Sequence, residues 1–364
     1  MSIELIISLV KANIVLAVLL TNTILLIWFE RKVVAGMQSR VGPDRAGPFG
    51  ILQTLADAIK LLLKEQILPS KADRAMYLLA PLIALVPSFL IFMIIPLGPD
   101  ITVEWQNVLY TIPLVGADLN VGVLYFLALS SIAVYSVVLA GWSSGSKYPL
   151  LGGVRASAQM ISYEAAMGLA LVPVILYSGS LSLVDIVNSQ SGNLSSSIPI
   201  LNTIVSFIPK WNIFPQFVAF GIFFIAAVAE VNRAPFDLVE AEQELVGGFH
   251  TEYSGFRFAM FFLAEYINMF NMCAITATFF LGGWLGPTFE GILPPIFSVI
   301  MPIIWLGVKT FLLLFVFVWI RATLPRLRYD QLMELGWKRM IPLSLVWLIL
   351  SAIVLGLREF GLPW

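Results

Sequence analysis

The sequence predicts an all-α integral membrane protein, a single polytopic domain over residues 1–364 with about eight transmembrane helices and one amphipathic surface helix. Three observations carry this expectation. Hydrophobic residues make up 59% of the chain and charged residues 12%, with a mean hydropathy of +0.92, a balance that cannot cover a soluble globule with polar surface. Apolar runs near the ~20 residues a spanning helix needs recur at 4–29, 76–97, 119–142, 156–178, 213–231, 259–284, 296–320 and 341–361. All of the Lys and Arg except Lys11, Lys210, Lys309 and Arg358 fall in segments that follow odd-numbered spans. That asymmetry predicts cytoplasmic odd-numbered loops and both termini outside.

The first span ends in Glu30-Arg31-Lys32, without a small-residue cleavage site or a basic leader, and is read as a retained helix. Lys11, near its outer end, is expected to reach outward to water. The inner loop that follows opens with "FERKVVAGMQSRVGPDRAGPFG", where Gly42-Pro43 and Gly47-Pro48 shape turns. In "GILQTLADAIKLLLKE", about 49–65, Leu52, Leu55, Ala56, Ile59, Leu62 and Leu63 form one helical stripe and Gln53, Asp57, Lys60 and Lys64 the opposite one. This helix is too short and too charged to span. It either lies along the inner membrane surface or covers the bundle. Pro81, Pro87 and Pro96 punctuate the second span and Pro173 the fourth, where kinks or breaks are expected. Lys309 sits deep in the seventh span and is expected to neutralise an interior acid that spacing does not identify.

Composition also excludes. The one cysteine, Cys273, allows neither an internal disulfide nor an iron–sulfur cluster ligated by this chain's cysteines. The one histidine, His250, rules out bis-histidine haem ligation, so any redox cofactor is expected in a partner. A net charge of −1 leaves no basic face for nucleic acid. The absence of internal repeats weakens an inverted-repeat transporter.

Acid placement points to chemistry. A carboxylate at mid-bilayer costs roughly 2.5–3.5 kcal/mol and usually signals an interior partner or an aqueous path. Glu164 and Glu265 lie inside spans four and six and are candidates for proton handling, while Glu30 and Glu230 close spans one and five. The acidic inner loop, about 230–258, gathers Glu230, Asp237, Glu240, Glu242, Glu244 and Glu252 around Arg233 and His250. Glu240 and Glu244 share a face if the segment is helical, with Glu242 nearby, and crowded carboxylates can share protons near neutrality. No metal site is expected, because "DLVEAEQE" lacks the glycine and spacing of an EF-hand loop. Phe236, Leu238, Leu245, Val246 and Phe249 argue that this loop packs against something.

"FERKVVAGMQSRVGPDRAGPFGILQTLADAIKLLLKE", "ISYEAAMG", "AEVNRAPFDLVEAEQELVGGFHTEYSG" and "IRATLPRLRYDQLMELGWK" resemble the H-type membrane subunits of bacterial respiratory complex I. The resemblance runs over nearly the whole chain, in order. It implies a heel subunit in a prokaryotic plasma membrane. Partners in the hydrophilic arm would hold flavin and iron–sulfur clusters and the quinone headgroup site, and antiporter-like and small membrane-arm subunits would lie alongside in the lipid. Quinone would be the substrate, with no cofactor bound by this chain alone. By the same resemblance, Glu30, Arg31, Arg40, Asp57 and Arg321 match charged positions around the quinone passage, and Phe261 and Phe262 fall in a helix that walls it. Glu164, Glu230, Glu240, Glu244 and Glu265 match an acid path, which Asp237 and Glu242 adjoin. The third span, "LALSSIAVYS", departs from relatives that carry an acid there. The competing readings are a related subunit of a membrane-bound hydrogenase and a stand-alone ion transporter.

Overall fold

The computed structural model describes residues 3–105, 108–193, 209–238, 247–287 and 296–359. Its helices are α1 (Ile3–Met37), α2 (Gln53–Leu63), α3 (Arg74–Met93), α4 (Gly122–Ser143), α5 (Lys147–Ser178), α6 (Leu183–Ser189), α7 (Phe217–Glu230), α8 (Gly255–Phe280), α9 (Ile296–Thr323), α10 (Tyr329–Glu334) and α11 (Ile341–Glu359). A π-helical turn, Leu335–Met340, joins α10 to α11. Among the described residues, α1, α3, α4, α5, α8, α9 and the joined α10–α11 are long and apolar enough to cross a membrane. In hydrocarbon every backbone polar group needs an internal partner, which favours helices throughout such apolar runs.

The fifth expected span is α7, whose 14 residues fall short of the others. At 1.5 Å per residue it is about 21 Å long, against a hydrocarbon core of about 30 Å. Much of it is enclosed: Ala219, Ile222, Phe223 and the whole run Ala226–Glu230 are buried. The chain turns at Val231–Asn232, where Asn232 takes a left-handed φ of 53°. The fourth span starts earlier than hydropathy suggests. Its first turns, Lys147–Val154, pack on the 247–254 turn so closely that a Cβ on Gly152 would lie 2.7 Å from Gly248 Cα.

Prolines do not break the helices that contain them. α3 runs through Pro81 and Pro87 and ends at Met93, before Pro96, and α5 runs through Pro173. Side chains support the backbone there. Ser88 donates to Ala84 O at 2.9 Å, and Asn271 of α8 donates to Ser88 O at 2.7 Å. The segment between α3 and α4 holds an antiparallel hairpin, β1 (Ile101–Trp105) and β2 (Val108–Ile112), with Ile101 opposite Ile112. The sequence pattern predicts no strand there.

α5 occupies the centre, with Tyr163, Met167 and Leu171 fully buried against a core that includes Phe223, Phe279 and Phe280. The surface helix appears as α2, preceded by a tight turn at Pro48–Gly50 that Trp28 Nε1 holds through Phe49 O at 2.8 Å. Leu55, Ile59, Leu62 and Leu63 of α2 remain exposed. Lys11 bonds the backbone at Pro113 O, 2.8 Å away, in the segment that joins α3 to α4. Among the described residues Lys309 meets no acid. Its ammonium donates to the carbonyls of Leu281, Gly283 and Leu285 at 2.6, 2.9 and 2.5 Å and lies 4.3 Å from the Trp211 ring, so the backbone after α8 satisfies the charge.

Candidate functional site

α1, α2 and α8 enclose a cavity of about 440 Å³, within the range of small-molecule sites. Its walls are mainly apolar, including Ile24, Leu61, Phe258, Phe262 and Leu263. The lining residues Leu20, Leu62 and Phe256 are exposed, so the cavity opens on the apolar outer surface. One end is charged. Arg31 of α1 bonds Asp57 of α2 at 2.5 Å, and Gln53 donates to the same carboxylate at 3.1 Å. Burial pushes the Asp57 carboxyl up, but hydrogen bonds from Arg31 and Gln53 and the charges of Arg31 and Lys60 outweigh it and hold the acid below its ordinary value. The Asp57 carboxylate therefore stays ionised at neutral pH.

Arg31 and Tyr266 line both this cavity and a second one of about 520 Å³, which Glu30, Gln38, Arg40 and Arg321 also border. Behind Tyr266 lies a buried ion cluster. Arg233 is 4% exposed and its guanidinium sits 4.3 Å over the Tyr266 ring. It reaches Glu30 at 3.2 Å and Glu265 at 3.0 Å, while Arg321 also bonds Glu30. Three helices and the acidic loop thus meet around one guanidinium, whose planar fork suits such multiple pairing.

On the far side of the cluster is a small cavity of about 60 Å³, lined by Glu230, Asp237, Glu265, His250, Asn268 and Phe261 among others. Asp237 is buried and pairs with Arg326 at 3.2 Å. The described start of the acidic loop is pinned to α5, where Gln159 donates to Ala229 O and Phe236 O at 2.9 and 2.8 Å. Its described end is locked to α3, where the rings of Tyr77 and Tyr253 stack at 4.1 Å and Tyr77 Oη donates to Glu252 O at 2.7 Å. Farther along, Glu164 accepts from Ser130 at 3.1 Å and from Ser131, and it lies within electrostatic reach of Glu230.

His250 sits among Phe249, Phe258, Phe261 and Phe262, and burial lowers its pKa to about 3. An unfolded histidine titrates near 6.5 and binds the proton that the folded one refuses. The neutral ring's contribution to stability is therefore complete above pH ~6.5 and declines as pH falls toward about 3. Since the chain has one histidine, imidazole NMR of the isotope-labelled protein checks this directly: no titration is expected between pH 5 and 8.

The structure brings Glu30, Arg31, Arg40, Asp57, Phe262 and Arg321 around the two larger cavities, and Glu230, Asp237 and Glu265 around the small one. Phe261 turns away from its neighbour Phe262 and lines the small cavity. Glu164 is set apart between α4 and α5. Glu240, Glu242 and Glu244 lie outside the described residues. Sequence reasoning does not single out Tyr266, Arg326, Asn268 or Gln159, and it gives Arg233 no role. A cation set among acids and flanked by apolar runs is the signal that could have marked Arg233. Ser130 and Ser131 supply hydroxyls in the span that lacks a carboxylate. Among the described residues no three His, Cys, Asp or Glu side chains are grouped to hold a metal ion.

Fold and site define a polytopic α-helical membrane protein in which a lipid-facing cavity leads to a buried network of carboxylates and arginines. The sequence matches the NADH dehydrogenase family over residues 10–352. It is 47% identical over 362 residues to the second NADH-quinone oxidoreductase H subunit of Koribacter versatilis, covering 97% of this chain and 98% of that protein. Identity is 51% over 336 residues to the second H subunit of Syntrophobacter fumaroxidans, 92% of each chain. For the first H subunit of Geobacter metallireducens it is 49% over 357 residues, 98% of this chain and 99% of that one. The chain belongs to the H-type subunits of NADH-quinone oxidoreductase, membrane components of an oxidoreductase complex whose other subunits are its partners.

Proposed function

We propose that this protein forms the quinone entrance passage of its complex and a carboxylate path that couples quinone reduction to proton translocation. One observation supports it above the others. An apolar cavity open to the membrane side ends at Arg31–Asp57 and Tyr266, and the Glu30–Arg233–Glu265 cluster and the acid-lined cavity follow directly behind.

The chemistry fits each part. A quinone's apolar tail suits walls of leucine and phenylalanine, and its polar head suits the charged end. Reduction to quinol takes two electrons and two protons. The electrons come from iron–sulfur clusters in hydrophilic partner subunits, and this chain binds no cofactor of its own. Negative charge arriving on the headgroup changes the field at Glu30 and Glu265, whose balance with Arg233 and Arg321 then favours a different proton occupancy. Glu230 and Glu164 extend that response inward, toward antiporter-like partner subunits. Coupling requires two states of differing occupancy, each favoured by one redox state. The protein lies in a prokaryotic plasma membrane with the acidic loop on the cytoplasmic side and both termini outside.

Glu164→Gln keeps the serine hydrogen bonds and removes the titrating group. Coupled proton translocation by the complex is expected to fall by about tenfold, or ~1.4 kcal/mol in the rate-limiting barrier. Pumping at the wild-type rate would make Glu164 a structural hydrogen-bond acceptor.

A further inference from the structure

α7 leaves a thin place in the bundle at its end away from the acidic loop. Its 14 residues reach only about two thirds of the way across the hydrocarbon core, and Glu230 stands at its other end. Whatever fills the remaining distance separates the buried carboxylates from the opposite surface. Buried polar side chains from three parts of the chain meet there. Gln190, 1% exposed, uses its whole amide: it donates to Ile186 O and Thr278 O at 3.1 and 3.0 Å and accepts from the backbone N–H of Asn212 and Gly282 at 3.1 and 3.0 Å. The Asn212 side chain donates to Phe279 O at 2.9 Å. Lys309 of α9, 6% exposed, reaches the carbonyls of Leu281, Gly283 and Leu285 beside the Trp211 ring. Three acceptors around Nζ require three N–H donors, and only the ammonium form supplies three. The group is therefore charged as it sits, and its partners among the described residues are all uncharged. Burying an ammonium is far more costly than burying an amide, which would also donate to carbonyls, so capping alone does not account for a lysine here.

We propose that Lys309 is an electrostatic seal: a fixed positive charge that keeps protons and other cations from crossing between the buried carboxylates and the surface beyond α7. The proposal rests on the acid-path reading above and names where that path is stopped within this chain. Two features act together. A file of water carries a proton only where polar groups are left over to hold the water, and here Gln190 and Lys309 have every N–H taken by protein carbonyls. The charge is the second obstacle. A cation entering a region of low dielectric beside a fixed ammonium is repelled, and a positive group set across a pore is a known means of excluding protons. The three carbonyls and the Trp211 ring hold the charge in place without cancelling it, since a carboxylate partner would remove the repulsion. Lys309 takes part in no proton transfer in this role.

Passive proton leak through the whole complex tests the assignment. The resting complex is reconstituted in liposomes without NADH or quinone, a pH gradient is imposed, and its decay is followed with an entrapped pH dye, valinomycin and potassium releasing the charge. Lys309→Gln keeps a hydrogen-bond donor and removes the charge, whereas Lys309→Arg keeps the charge. Decay is expected to be about tenfold faster with Lys309→Gln and unchanged with Lys309→Arg, while quinone reduction by both stays within about twofold of wild type. Decay as slow as wild type in Lys309→Gln would leave the lysine a cap for three carbonyls and overturn the seal. Equal acceleration in both variants would trace the leak to packing rather than charge and also contradict it. A high-resolution density map of the wild-type complex decides the matter even if no variant assembles: no ordered water is expected within hydrogen-bond distance of Lys309 Nζ, and a file of water passing it would overturn the proposal. Wild-type complex that reduces quinone without pumping would sink the coupling reading, while the leak of resting vesicles would still judge the seal.

Discussion

Arg233→Ala is expected to destabilise the protein by about 3–5 kcal/mol, the largest loss of any single side chain in the site. Removing the guanidinium takes away the buried cation that Glu30 and Glu265 both contact, in a region that Tyr266 closes toward the apolar cavity. Arg321 still reaches Glu30 but is itself about a third exposed. The comparison variant is Arg326→Ala. Its bond to Asp237 is similar in length, at 3.2 Å, but the arginine is 38% exposed, and water screens and replaces what is lost. About 1 kcal/mol or less is expected there. Thermal unfolding of the purified complex, followed through release of this chain, reads both. Midpoint shifts of equal size would mean that Arg233 is solvated in the assembled enzyme. Arg233→Ala with Glu30→Gln should recover part of the loss, because one of the two carboxylates that faced the guanidinium is then uncharged.

Asp57→Asn should behave in the opposite way, with little change in stability and a large change in activity. Arg31 and Asp57 are 46% and 34% exposed, so their bond contributes at most about 1 kcal/mol to folding. Its position matters more, since the pair forms the charged end of the cavity and fixes Arg31 where the two larger cavities share it. Loss of the negative charge frees Arg31 and leaves an uncompensated cation at the mouth. Quinone reduction is expected to fall by about tenfold in kcat/KM, equivalent to ~1.4 kcal/mol, with assembly unchanged. Steady-state kinetics with a short-chain quinone gives the number. Normal kcat/KM in this variant would remove Asp57 from the passage.

Much of this arrangement is legible in the sequence. Apolar runs mark the spans because lipid leaves the backbone few alternatives, and the stripe from Leu52 to Leu63 marks α2. Glu164, Glu230 and Glu265 stand out because acids rarely sit at that depth. The pairings are not legible. Glu30 adjoins Arg31 in sequence, yet consecutive helical residues point apart, so Arg31 meets Asp57 while Glu30 meets Arg233 and Arg321 from distant segments. The same geometry separates Phe261 from Phe262. Depth suggests an acid for Lys309, but carbonyls left unpaired after α8 serve an ammonium equally well and leave no sequence signature. The hairpin at Ile101–Ile112 is hidden by its brevity, since five-residue alternation between two spans carries little weight.

The central claim is that quinone passes between α1, α2 and α8 on its way to the ion cluster. A photoreactive quinone analogue, activated in membranes containing the whole complex and mapped by mass spectrometry, tests it most directly. Labelling should concentrate on the segments around Leu20–Arg31, Thr54–Leu62 and Phe256–Tyr266 and be displaced by excess native quinone. Displaceable labelling confined to other subunits, or to the exposed lipid face of α11, would contradict the account.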